Sequence, residues 1–355
     1  MAPLFPPQYR DWNLPTEVPL SPAAARRVAR EAANAAFDVG AQALNEDWHT
    51  HLDGKQLQRW GERLGRAVVE ARDAEVMAAE CGRGPVGPGN PAALLVLGVD
   101  GGRVQMRDAD PETGSRWRED KVVTVTSYLP GDGTECDPEK LVTTAVATMG
   151  DTHACGRLAR VEADRRGWND AQEKIVLADC GNWIDPLVER EFGGVIRIAD
   201  WSHAEEHLNN CGKALHGAGT PEAQAFAEPL VEALWNGRVE AVIDVLQTAS
   251  TRIGAPLKQD GPEHPRRVLA QNEGYFTRNK GHMDYPVYRA KGWPIGSGNT
   301  EAGVKQVNKR VKGTEQFWRK PGLEPILALR CLLISQDGRW ASYWANRPAY
   351  RKRAA

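Results

Sequence analysis

Cysteine is sparse in this 355-residue chain and is not arranged in pairs: Cys81, Cys136, Cys155, Cys180, Cys211 and Cys331 are scattered, with no CxxC. No histidine stands beside them at zinc-finger spacing, so neither a metal knuckle nor a disulfide framework is indicated. Long apolar runs are also missing. The first thirty residues hold no apolar h-region and no stretch is long enough to cross a bilayer, so the expectation is a soluble, cytoplasmic protein with reduced thiols and no membrane partner. Excess charge of one sign is absent too, with 45 Lys and Arg against 47 Asp and Glu for a net charge of −2. That excludes a uniformly basic protein, and any nucleic-acid contact must use local basic faces. Internal repeats and low-complexity tracts are not found.

What is present divides the chain into parts. Residues 1–20 form a Pro-rich leader. Residues 21–80 read as successive helices, with breaks around Phe37 to Gly40 and an Asp53-Gly54 start signal. The last helix puts Leu57, Trp60, Leu64 and Val68 on one stripe and leaves Lys55, Gln56, Gln58, Arg59, Arg63 and Arg66 largely outside it. A Gly/Pro linker over 81–92 precedes strand-like runs at Leu94 to Asp100, Val104 to Arg107 and Lys121 to Tyr128, with Gly101-Gly102 as a tight link. Helices are expected from about Glu139 to Met149, Ala154 to Arg166 and Trp183 to Phe192. Between and after these come strands ending at Asp179 and Asp200. The pattern gives an α/β fold over 93–200: a mixed sheet flanked by helices. An all-helical insertion follows over 201–290, then final core helices over 291–340 and a basic tail over 341–355.

Three acids carry the chemistry: Asp100 and Asp179 at strand exits, and Glu301 at the start of a basic helix. Each has a plain structural reading. Asp100-Gly101-Gly102 suits a hairpin turn, Asp179 can cap a helix, and Glu301 can complement a helix dipole. Together they have the order that an RNase H-like nuclease fold requires. Such carboxylates suit Mg²⁺ or Mn²⁺, with two ions about 3.5–4 Å apart serving an in-line displacement at phosphorus.

GVDGGR, LADCGNWI, DWSHAEEHL and IGSGNTEAGVKQVNKRVKGTEQFWRKPGLEPILALR resemble the DDE transposases of ISKra-type bacterial insertion sequences, and more distantly Mutator-like transposases. The resemblance spans about residues 20–340, and its last motif is the most specific. It implies that Asp100, Asp179 and Glu301 are a metal-binding catalytic triad on an RNase H-like fold interrupted by the helical insertion. It also implies a DNA transposase that binds and cleaves the ends of its own element and joins them to target DNA. Asp200 and His203 resemble that group's C/D-x-x-H signature, although Asp200 also reads as a helix cap. The related proteins carry a helix-turn-helix before the catalytic part. No Cys-rich zinc-binding segment, which some longer relatives have, is found here.

Partners follow: double-stranded DNA at element ends and target, and a homodimer or higher homo-oligomer. Lys55, Gln56, Gln58 and Arg59 are the base-edge or phosphate candidates of a helix-turn-helix, against a plain helical bundle mediating dimerisation. Lys305, Asn308, Lys309 and Lys312 share the side of Glu301 and could meet phosphates, against a solvated charged face. Phe317 and Trp318 stack on an unpaired base or bury against the helix that follows. Two other functions fit the same residues: a transposase-derived DNA-binding regulator without catalysis, and an RNase H-like nuclease without strand transfer.

Overall fold

The computed structural model describes residues 20–133, 137–181, 183–313 and 316–346. The leader over 1–19, Cys136 and the tail over 347–355 lie outside them. Helices α1 (Pro22–Asn34), α2 (Phe37–Trp48) and α3 (Gly54–Glu80) come first. Asp53 and Gln56 form a reciprocal capping box at the start of α3, which fixes where that helix begins. Leu57, Leu64 and Val68 of its stripe are buried.

Five strands follow: β1 (Leu94–Gln105), β2 (Trp117–Leu129), β3 (Glu139–Thr148), β4 (Glu173–Ala178) and β5 (Ile196–Ala199). They lie in the order β3-β2-β1-β4-β5. The first three are antiparallel to one another, while β4 runs parallel to β1 and β5 parallel to β4. This mixed sheet, flanked by helices, is compatible with an RNase H-like fold.

Two expectations fail here. Gly101-Gly102 is not a hairpin link, because β1 runs unbroken through both glycines in register with Asp120 and Lys121 of β2. Neither has a positive φ. Their lack of a side chain answers to neighbours instead, since a Cβ on Gly102 would strike Asn308 and Asp120. Glu139 to Met149 is not a helix but the edge strand β3, paired with β2 from Glu139 to Thr148. Its outer edge is occupied by the segment after α12 (Lys320–Ile334). Gln336 N–H donates to Thr143 O at 3.0 Å, and Thr143 N–H to Gln336 Oε1 at 2.9 Å. Ala145 N–H donates to Ser335 Oγ at 3.1 Å.

Alternation sets the two faces of the sheet. Leu95, Leu97, Val99, Val123 and Val125 face α4 (Thr152–Arg165) and α5 (Ile184–Phe192). Leu94, Val96, Ile175, Leu177 and Ile198 face the other way. There they join the insertion, made of α6 (Trp201–His216), α7 (Pro221–Trp235), α8 (Val239–Ile253), α9 (Pro265–Asn279) and α10 (Tyr285–Ala290). On that same face Val104, Val122, Ala145 and Ala147 belong to another cluster, formed with α1, α2, α3, α12, α11 (Gly298–Val311) and α13 (Arg339–Ala345). The N-terminal helices therefore share one core with the last helices. No helix among the described residues is long and apolar enough to cross a membrane.

Candidate active site

The face that carries the insertion and α11 has a seam between its two apolar clusters, and the acids gather there. In the sheet, Val99 pairs with Ala178 and Ala178 with Ala199. The next residue on each strand is an aspartate: Asp100, Asp179 and Asp200. Neighbouring strands lie roughly 4.8 Å apart, so the three backbones stand side by side. Asp179 and Asp200 lie just past the ends of β4 and β5, but Asp100 is inside β1, which does not end there as the sequence suggested but pairs with β2 as far as Gln105. By alternation their side chains leave the sheet on the face of Leu94, Val96, Leu177 and Ile198.

Glycine and threonine bring α11 down onto that face. A Cβ on Gly98 would lie 1.9 Å from Thr300 Oγ1, and one on Gly303 would lie 2.6 Å from Thr124 Cγ2. Only bare backbone allows an approach that close. Asn299 Nδ2 donates to Thr126 Oγ1 at 2.6 Å, fixing the helix start against β2. Glu301 is thereby held within electrostatic reach of Asp100.

The described groups with metal-ligand geometry are Asp200, His203 and Glu301, whose ligand atoms lie within 4.8 Å of one another. Asp200 is fully buried. It accepts from Ser297 N and Ser297 Oγ, both at 2.8 Å, and from Ser202 N at 3.3 Å as the cap of α6. The capping and site roles of Asp200 therefore coexist. Ser297 Oγ also lies 3.4 Å from Glu301 Oε1, but its single proton serves the shorter contact to Asp200. His203 Nε2 is 3.9 Å from Asp200 Oδ2.

Charge crowding shows in the titration of these groups. Burial holds the Asp100 carboxyl above its ordinary range, and the nearby Asp179 and Glu301 carboxylates push the same way. The Gly101 N–H, 2.6 Å from Asp100 Oδ1, and His203 oppose them. Glu301 is held below the usual carboxylate range, chiefly by the hydrogen bond from Lys305 Nζ at 3.1 Å. Asp179 Oδ1 accepts from Gly181 N at 3.1 Å, across a turn that puts Cys180 at φ 62°. A left-handed conformation at a non-glycine residue beside a site acid is the sort of local strain that packing must impose.

The remaining candidates separate. Lys305, Lys309 and Lys312 are exposed along α11. Asn308 is buried over Gly102. Trp318 is buried, donates Nε1 to Val311 O at 2.8 Å and packs edge-on to Phe37, so it is not offered to a base. Lys55 and Arg59 are exposed on the first turns of α3. Gln56 is occupied in the capping box, and Gln58 donates to Glu62 at 2.7 Å.

Sequence reasoning missed Asp120. It is fully buried on β2, pairs with Gly102, and neither carboxylate oxygen has a hydrogen-bond partner among the described residues. Burial pushes its carboxyl up to about 6, with Glu119 and Asp100 adding to the rise. Asn308 shares the space over Gly102, its Nδ2 nearest, and its Oδ1 is likewise without a partner among the described residues. A charged residue inside a strand run was the available signal, but only the β1–β2 register reveals its direction.

No family model matches the sequence, and no curated protein matches it. Among solved structures the chain is similar to one described as the Drosophila P element transposase strand transfer complex, at 9% identity and a TM-score of 0.38, covering 94% of this chain and 93% of that one. A likeness at that level carries no argument about what this chain does.

Proposed function

We propose that the chain is a DNA transposase of the DDE type, cutting DNA strands at the ends of an insertion sequence and joining the freed 3′ ends to target DNA. The observation that carries this reading is the seam: Asp100 inside β1 stands in register with Asp179 and Asp200 just past β4 and β5, with Glu301 brought over them by α11. A cluster of oxygen donors in which burial and mutual repulsion raise the Asp100 carboxyl above its ordinary range fits a divalent cation, whose charge would offset both. Hard carboxylate donors favour Mg²⁺ or Mn²⁺. Asp100, Asp179 and Glu301 would hold it, with Asp200 and His203 beside them. A bound ion would supply charge stabilisation at the phosphoryl oxygens and activation of the attacking oxygen.

The protein's own groups do the rest. Glu301, kept ionised by Lys305, accepts a hydrogen bond from the attacking water and orients it at the phosphorus. The P–O bond to the 3′ oxygen breaks as the water oxygen bonds to phosphorus, leaving a 3′-OH and a 5′-phosphate. The 3′-OH then takes the water's place against target DNA. Lys309 and Lys312, exposed on the same helix, fit the phosphates that flank the scissile bond. Lys55 and Arg59 of the N-terminal helices are suited to hold the element end, and a homodimer would bring two ends together.

The test is cleavage of DNA carrying the sequences that flank the gene, with Mg²⁺ or Mn²⁺, followed by strand-transfer products on a gel. Asp100→Ala, Asp179→Ala and Glu301→Ala should each abolish cutting. Unchanged cutting by all three variants would remove the site assignment. Cutting without joined products would leave a nuclease, and metal-independent end binding without cutting would leave a regulator.

A further inference from the structure

At the far end of α11 from Glu301 lies a polar cavity of about 480 Å³, between the starts of α2 and α3 and the end of α11. Among the described residues its lining holds three cations, Lys55, Arg107 and Arg310, against one carboxylate, Asp38. Arg310 is built in rather than draped on the surface. It is 2% exposed, its Nε donates to Ala32 O at 2.6 Å and its Nη1 to Gln316 Oε1 at 3.3 Å. Its guanidinium lies 4.5 Å from the ring centre of Phe37 and 5.3 Å from that of Trp318. Its Nη2 has no hydrogen-bond partner among the described residues.

That leaves a buried cation with no carboxylate bound to it among the described residues, a costly arrangement unless something else supplies the negative charge. Burial, and then the nearby Arg330, lower its pKa to about 9, so it remains charged at neutral pH. The start of α2 adds to the same field. The cap position of α2, Ala36, provides no side-chain hydrogen bond to the first-turn amides. Gly54 at the start of α3 packs against Asp38 in the first turn of α2, so closely that a Cβ there would lie 1.9 Å from Asp38 Oδ1 and 3.0 Å from Asp38 N. Orphan N–H groups and the positive end of a helix dipole favour an anion. At the rim Arg107 Nε donates to Phe317 O at 3.2 Å, and the Phe317 ring is 39% exposed.

We propose that this cavity is a phosphate-binding pocket, taking the phosphate of a nucleotide whose base lies against Phe317. The ligand chemistry has two sources, a phosphodiester of bound DNA or a free nucleotide. The pocket is built from residues apart from the acidic seam, so its occupancy does not depend on the cleavage reading.

Arg310 is too buried for a clean variant, so the test uses the exposed pair Lys55→Ala/Arg107→Ala and, separately, Phe317→Ala. The comparison is Lys213→Ala/Lys258→Ala, which removes the same charge from the insertion. The full chain is titrated in EDTA, so that no metal-dependent chemistry enters, against a short fluorescein-labelled DNA duplex by anisotropy and against dAMP by calorimetry. The Lys55/Arg107 variant should weaken one of the two probes about tenfold or more relative to the comparison variant, with a salt dependence for DNA shallower by roughly two ions. Phe317→Ala should weaken the same probe. A response with the duplex alone assigns the pocket to DNA phosphodiester, and a response with dAMP assigns it to a free nucleotide. If the Lys55/Arg107 variant matches the comparison variant on both probes, the pocket is not a phosphate site, whether or not the protein cuts DNA.

Discussion

The two ends of α11 present opposite electrostatic problems on one rigid rod. At its start, Glu301 joins Asp100, Asp179 and Asp200 in a seam where carboxylates repel one another. At its end, roughly 14 Å further along the axis, Arg310 is a buried cation that meets no carboxylate among the described residues. Both ends are incomplete by themselves, and what each lacks has the opposite sign. The comparison teaches that a near-neutral chain can concentrate charge of both signs on one helix, with an acid cluster at one end and a buried guanidinium at the other.

The largest expected effect breaks the acidic end. Glu301→Gln keeps the shape and removes the charge, so metal-dependent cleavage should fall about 100- to 1,000-fold, the scale of removing one preorganised electrostatic group. Binding of the duplex in EDTA should stay nearly unchanged. A comparable fall in both measurements would mean that the two ends do not act separately.

Asp120, beside the midpoint of α11, gives the next effect. Its carboxyl titrates near 3.8 in the unfolded chain and near 6 when folded, so the folded state holds the proton more tightly. The contribution to stability is complete below pH 3.8 and is lost as pH rises through about 6. The loss is on the order of 3 kcal/mol. Asp120→Asn, measured by urea unfolding, should match the parent near the acid end of that window and exceed it above the window. A constant difference across the window would show that Asp120 carries no raised titration.

The close approach of α11 supplies the third prediction. Gly98→Val puts a side chain where Thr300 already stands, and overpacking of this kind costs about 1–3 kcal/mol. It should also push Glu301 away from Asp100 and slow cleavage more than it lowers stability. The smallest effect belongs to Lys305→Ala, whose exposed pair with Glu301 adds little to stability. The Glu301 carboxyl should titrate higher without its hydrogen-bonded ammonium, moving the acid limb of the cleavage profile to higher pH. An unmoved acid limb would separate Lys305 from the chemistry.

Much of this arrangement was legible because it is local. The apolar runs before Asp100, Asp179 and Asp200 read as strands, since residues covered on both faces show little alternation. The start of α3 was visible at Asp53-Gly54, where the capping box is written into adjacent positions. What was not legible depended on neighbours far along the chain. Gly101-Gly102 resembles a turn until Asn308 and Asp120 are seen to claim the space above Gly102. The Glu139 to Met149 run has apolar residues at spacings that satisfy either period, and only pairing with β2 decides for a strand. Arg310 was not singled out at all, because nothing nearby in sequence indicates that Phe37, Trp318 and Ala32 enclose it.

The covering of β3 has a consequence for assembly. A strand at the rim of a sheet is a template on which another chain can add its own backbone. Here Ser335 and Gln336 already take the free N–H and C=O groups at Thr143 and Ala145. At the opposite rim, β5 spans only Ile196–Ala199, too short to hold much of a visitor. Pairing two copies through β3 would first require peeling away Ser335 and Gln336, which follow α12. On the proposed function, a pairing of two copies would be made away from the sheet edges and would leave Asp100, Asp179 and Asp200 in each copy undisturbed.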